Sequence, residues 1–221
     1  DMEKTLKRLQ PTMMKALRER YGEAEANNRW TGLESQFSSW LREEGDLGGR
    51  KNMMSSNMML CYAVCAFYEA MDRELTREQF DMMVEDAMAA SFRRLGLINM
   101  NRLYRNRTLM KLCHSFVQRY TKKVGKYRGN KWGDTWKIRV NPNGHTVGFA
   151  MTLDSCPLYE FAKKRGYMDV LPGMCATDQR VARAMHAHLI RHKTISSGDN
   201  CCEYWYVGDT SPESLADSGS K

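Results

Sequence analysis

The spacing of apolar residues changes near Gly125, and that change limits the architecture more than any single motif does. Before it the apolar positions repeat as they do on helices. Met2 to Tyr21 carries Leu6, Leu9, Met13, Met14 and Leu17, close to a 3.6-residue period. Trp30 to Leu41 reads as a short helix ended by the Gly45 to Gly49 loop. Met53 to Met71 is apolar on nearly every side, as a buried central helix would be. Thr76 and Gln79 make a capping box ahead of the stripe Phe80, Met83, Val84, Ala87, Met88 and Phe92, with Gly96 where a C-terminal cap belongs. Leu103 to Tyr120 reads as a further helix.

Beyond Gly125 the period shortens. Trp136, Ile138 and Val140 alternate with charged residues, Asn141-Pro142-Asn143-Gly144 supplies a turn, and Val147, Phe149 and Met151 resume the alternation. This is a hairpin pattern. Pro157 to Arg165 is a short helix closed by Gly166, and Thr177 to Leu189 a second. Ile190 to Ile195 and Cys202 to Val207 read as two more strands, and the polar residues 208–221 as a disordered tail. The expected fold class is α+β: an N-terminal helical region followed by a small antiparallel sheet with interleaved helices. The expected division is 1–125, 126–207 and 208–221.

Composition narrows the function classes. Of 221 residues, 42% are hydrophobic and 27% charged, the balance of a globular protein. No stretch approaches the ~18 apolar residues of a membrane span. The first ten residues lack the apolar core of a signal peptide, so a cytoplasmic setting is expected. Seven cysteines, an odd number, suit free thiols better than a disulfide framework. Cys61, Cys65 and Cys113 lie in apolar helical stretches and read as core residues. Much of the net charge of +8 falls between Arg119 and Arg139, interleaved with Tyr120, Tyr127, Trp132 and Trp136. Such interleaving can bind nucleic acid, but the segment also reads as a solvated helix end, a loop and a strand, so nucleic acid is the weaker reading. An anionic small-molecule substrate would profit from the same field. Oligomeric state is not legible.

The remaining cysteines carry the chemical interest. Cys156 follows a strand and precedes Pro157, a preferred first residue of a helix, which puts it at an N-cap. The helix dipole there favours a thiolate, so Cys156 reads as either a nucleophile with a lowered pKa or a passive capping residue. Cys175 falls two or three residues before the next expected helix, and Asp178 reads as its cap or as a general base. Cys201 and Cys202 are adjacent at a strand start, so their side chains point to opposite faces. His145, after the hairpin turn, could pair with a cysteine, and Arg191 or Lys193 could bind a substrate carboxylate. The steps from Cys156 to Cys175 and on to Cys202 lack a paired C-x-x-C, so no metal is assigned.

Four separated elements then occur in one order: Phe149-Ala-Met-Thr-Leu-Asp-Ser-Cys156-Pro157, Gly166, Leu171-Pro-Gly-Met-Cys175-Ala-Thr-Asp178, and Gly198-Asp-Asn-Cys201-Cys202-Glu-Tyr-Trp. Over about residues 145–207 this resembles the L-2-amino-thiazoline-4-carboxylic acid hydrolase family. The resemblance implies hydrolytic opening of a small cyclic amidine at its C–N centre, without an organic cofactor. It places Cys156, Cys175, Asp178 and Cys202 at the family's motif positions. Glu203 and Tyr204 stand where Asp and Phe are common in that family. The Cys-Pro layout is also similar to ligand-binding domains of the vinyl-reductase type. A non-catalytic small-molecule or metal sensor using the same cysteine pocket is therefore the alternative.

Overall fold

The computed structural model describes residues 2–84 and 96–219. Helix α1 (Met2–Tyr21) buries Leu6, Leu9, Met13, Met14 and Leu17, the stripe expected from its period. Helix α2 (Glu23–Glu44) is longer than expected and packs Trp30, Leu33, Phe37 and Trp40 inward. Both lie against α3 (Ser55–Ala70), which is buried from Cys61 through Phe67. Burying one helix on nearly all sides needs two layers around it, and the second layer comes from the C-terminal part. Trp40, Tyr62, Phe161 and Tyr167 form an edge-to-face cluster, with Tyr62 and Phe161 5.0 Å apart. One continuous core runs from Leu6 through Trp136, Leu153, Phe161 and Cys202.

The capping box forms: the Thr76 amide donates to Gln79 Oε1 (3.0 Å) and the Gln79 amide to Thr76 Oγ1 (3.2 Å). Residues 77–84 are helical (α4), and the rest of that stripe, through Ala87, Met88 and Phe92, lies outside the described residues. The single helix expected over Leu103 to Tyr120 is two, α5 (Met100–Arg105) and α6 (Arg107–Tyr127). Asn106 divides them. It is extended (φ −81°, ψ 98°), and its side chain caps α6 by accepting from the Leu109 amide at 3.0 Å.

Strands β1 (Lys137–Val140), β2 (Phe149–Ser155), β3 (Ala187–Ile190) and β4 (Cys202–Gly208) form one antiparallel sheet in the order β1-β2-β4-β3. The fold is α+β, with helices α7 (Pro157–Arg165) and α8 (Leu171–Ala184) between β2 and β3. Helix α7 has the expected bounds, set by Pro157 at its first turn and left-handed Gly166 at its end (φ 77°).

Three expectations need correction. Helix α8 starts at Leu171 rather than Thr177, so Cys175 and Asp178 lie inside it and neither precedes nor caps it. Pro172 and Gly173 lie in its first turn. There the missing Cβ of Gly173 lets α4 approach: an added Cβ would lie 3.1 Å from the Phe80 ring. Strand β3 accordingly comes earlier, because His186 in the left-handed region (φ 54°) reverses the chain right after α8. Residues 208–221 are not simply a tail. Pro212–Gly219 form α9, held by a 2.8 Å contact between His188 Nε2 and buried Asp217 Oδ2. Polar composition reads as disorder only when the polar groups lack partners.

Candidate active site

Alternation along the strands gives the sheet two chemically different faces. The inner face presents Phe149, Met151 and Leu153 from β2, with Cys202, Tyr204 and Tyr206 opposite them on β4. Helices α3, α6 and α8 and the start of α7 close over this face and enclose a cavity of about 590 Å³. Cys156, Cys175, Asp178 and Cys202 all line it. On α8, positions 174, 175, 178 and 181 recur with helical spacing on one face, which is why Cys175 and Asp178 look into the same space.

Asp178 is the only charged side chain among the described lining residues. Arg191 Nη1 donates to its Oδ2 at 2.9 Å, and the Tyr204 hydroxyl donates to the same oxygen at 3.2 Å. Arg191 Nη2 also holds the Cys175 carbonyl oxygen at 2.8 Å. No described hydrogen bond reaches Oδ1. The Asp178 side chain keeps 35% exposure, on the side that lines the cavity, and protein encloses the rest of it. Burial raises its pKa above the ordinary carboxylate value, and Arg191 and Tyr204 offset this only in part.

The thiols behave differently from the expectation. Cys156 is the N-cap of α7, as its sequence suggests. Its thiol is nevertheless pushed up to about 12 by burial; the backbone amides of Tyr159 and Leu158 pull the other way and lose. A helix N-terminus supplies a partial charge worth a fraction of what an apolar wall takes from a thiolate. Cys175, whose Sγ lies 3.5 Å from Ser196 Oγ, is raised by burial too. Cys202 Sγ accepts from the Ile195 amide at 3.2 Å and is also raised by burial. Around pH 7 all three are neutral thiols.

Two candidates stand elsewhere. His145 stacks on Trp205 at 3.9 Å on the outer face of the sheet, away from Cys156. Lys193, also outside, pairs with Glu203 at 3.1 Å. Arg191 does reach the site, but as the partner of Asp178. Tyr204 was given no role in the sequence; its signal was alternation, two residues beyond Cys202 on the cavity side. The helical wall, with Met54, Asn57 and Tyr120, carries no motif that could have announced it. In the basic segment Trp132 and Trp136 are 3% and 2% exposed, so neither presents a face to a nucleobase. Among the described residues, no three His, Cys, Asp or Glu side chains are arranged to hold a metal ion, and no helix is long and apolar enough to cross a membrane. All seven cysteines are free.

Fold and cavity together define an α+β protein with a largely apolar cavity between a helical layer and a sheet. Residues 53–206 match the family described as L-2-amino-thiazoline-4-carboxylic acid hydrolase, and the chain belongs to that hydrolase family. The match starts two residues before α3 and runs into β4, so it takes in both walls of the cavity. No curated protein and no solved structure matches the chain.

Proposed function

We propose that the chain hydrolyses a small heterocycle containing a cyclic amidine, in the cavity that Asp178 lines, with Asp178 as the general base for water. The observation that carries this reading is the carboxylate itself. It is enclosed, its basicity is raised by burial, Oδ2 is fixed by Arg191 and Tyr204, and Oδ1 is left without a described partner. A base whose pKa is moved toward the working pH is the more effective one. The three neutral thiols then shape and desolvate the pocket, and Cys156 is not the resting nucleophile.

For a protonated 2-aminothiazoline ring the steps balance as follows. Asp178 takes one proton of the water as its oxygen bonds to the amidine carbon, the centre of the cyclic C–N unit. The ring C–S bond then breaks with its electron pair going to sulfur, which collects the proton from Asp178. The second water proton leaves to solvent as the carbonyl forms, giving an N-carbamoyl amino thiol.

The test is to incubate purified protein with 2-amino-2-thiazoline-4-carboxylic acid and related 2-aminothiazolines and to follow the gain of one water by mass spectrometry. Asp178→Asn should lose about a hundredfold or more in kcat/KM, while Cys156→Ser stays within roughly threefold. Loss of turnover in Cys156→Ser with retention in Asp178→Asn would reverse the assignment.

A further inference from the structure

Cys156 also lines a second, more polar cavity of about 580 Å³, with Arg128, Asp134, Ser155, Glu160 and Lys164 around it. Much of the charge there is already matched. Glu44 Oε1 accepts from Lys164 Nζ at 2.8 Å and from Arg165 Nη2 at 2.7 Å, and Arg165 also holds Glu43. Asp134 and Glu160 are exposed, where water screens them. Arg128 is different: it is half-buried, and among the described residues it has no carboxylate partner.

Its guanidinium is held from one side. Nε donates to the Thr135 carbonyl oxygen at 2.9 Å and Nη2 to Ser155 Oγ at 3.4 Å, while no described hydrogen bond uses Nη1. The anchor is itself fixed. Thr135 is fully buried, and buried Asn52 Nδ2 donates to its Oγ1 at 2.9 Å. The Tyr120 hydroxyl donates to Asn52 Oδ1, and Tyr120 lines the Asp178 cavity, so one polar network braces the cation and a wall of the neighbouring cavity. A guanidinium held at Nε with donors left at its Nη end offers the fork that a carboxylate accepts. Near pH 7 the Cys156 thiol is neutral and does not compete for that cation. The two cations expected from sequence to bind a substrate carboxylate are engaged elsewhere: Arg191 with Asp178 and the Cys175 carbonyl oxygen, Lys193 with Glu203 on the outer face.

We propose that Arg128 is a specificity-determining residue that takes the carboxylate of the substrate, while the ring reaches past Cys156 toward Asp178. The two cavities are then the anion-binding and hydrolytic halves of one site, and the substrate class is a cyclic amidine bearing a carboxylate. The inference rests on the hydrolytic reading for what happens at the ring. It concerns the other end of the ligand and fails or stands separately.

The experiment compares 2-amino-2-thiazoline-4-carboxylic acid with its carboxamide on wild type, Arg128→Met and Arg128→Lys, by turnover and by calorimetric binding. Wild type should favour the acid at least tenfold in kcat/KM. Arg128→Met should lose at least tenfold on the acid, mainly through KM, and stay within about threefold on the carboxamide; Arg128→Lys should recover part of the loss. Where Arg128→Met does not fold, Arg128→Gln, which keeps a donor for the Thr135 carbonyl, is read in the same way. Equal use of acid and carboxamide by wild type would overturn this inference and leave the hydrolytic reading in place. So would an equal fall on both in the folded variant, because the guanidinium would then only brace the loop from 128 to 135. If neither ring opens but the acid binds more tightly and Arg128→Met abolishes that preference, the inference stands and the hydrolytic reading falls. If wild type neither opens nor binds either compound, both fall.

Discussion

On the inner face of the sheet, Cys202, Tyr204 and Tyr206 look into an apolar cavity with one carboxylate. On the outer face, Glu203 and Arg139 share open ground with Lys193, His145 and Asp154. Neighbouring residues of one strand thus meet opposite fates. On the outer face water screens the charged groups: Lys193 with Glu203 and Arg139 with Asp154 are ordinary surface pairs, contributing little each. On the cavity side burial moves the titratable groups instead. The Asp178 carboxylate and the thiols of Cys156, Cys175 and Cys202 are all raised by burial. A count of titratable residues does not separate the two sides of the sheet; what distinguishes the inner side is burial among apolar walls.

The contrast can be broken at several strengths. The largest effect is expected from Asp178→Asn, a fall of about 10³ in kcat/KM, near 4 kcal/mol of transition-state stabilisation, with the circular dichroism spectrum unchanged. Next is Leu153→Ala. It removes a buried inner-face side chain (3% exposed) between β2 and the helical layer, and should cost about 3 kcal/mol in urea unfolding. Arg191→Met comes third. Arg191 lowers the pKa of Asp178, so without it the carboxylate protonates at higher pH, and the acidic limb of kcat/KM should move upward.

Outer-face changes should be smaller. Arg139 depresses the pKa of Asp154, so their pair contributes above the unfolded carboxylate pKa and is lost as pH falls through the depressed folded value. Arg139→Met should therefore cost about 0.5 kcal/mol near pH 7 and nothing once the pH lies below the depressed folded pKa of Asp154, read by thermal unfolding across pH. His145→Ala and Lys193→Met should leave kcat/KM within about twofold of wild type. A large loss from either would mean that chemistry crosses the sheet.

Much of the sheet was legible because its punctuation is local. Pro157 and Gly166 bracket α7, and Asn141 to Gly144 separates β1 from β2. Cys202 was correctly separated from Cys201 by alternation alone. The start of α8 was not legible, because Pro172-Gly173 is a turn dipeptide unless another helix needs the space a Cβ would fill, and Phe80 lies far off in sequence. The raised pKa of Cys156 was not legible for a related reason. The helix end that would lower it is visible in three residues, while the burial that raises it comes from distant elements. The helical wall of the cavity carries no motif, since lining an apolar space requires only size and apolarity, which many residues supply.

The dependence of kcat/KM on pH, measured for wild type and Cys156→Ser with a 2-aminothiazoline that is turned over, bears most directly on the division of labour in the cavity. Both proteins should share one acidic limb, lying above the ordinary carboxylate range and belonging to Asp178. A rise toward alkaline pH in the wild type that disappears in Cys156→Ser would make the thiolate the working group and contradict the role given to the carboxylate.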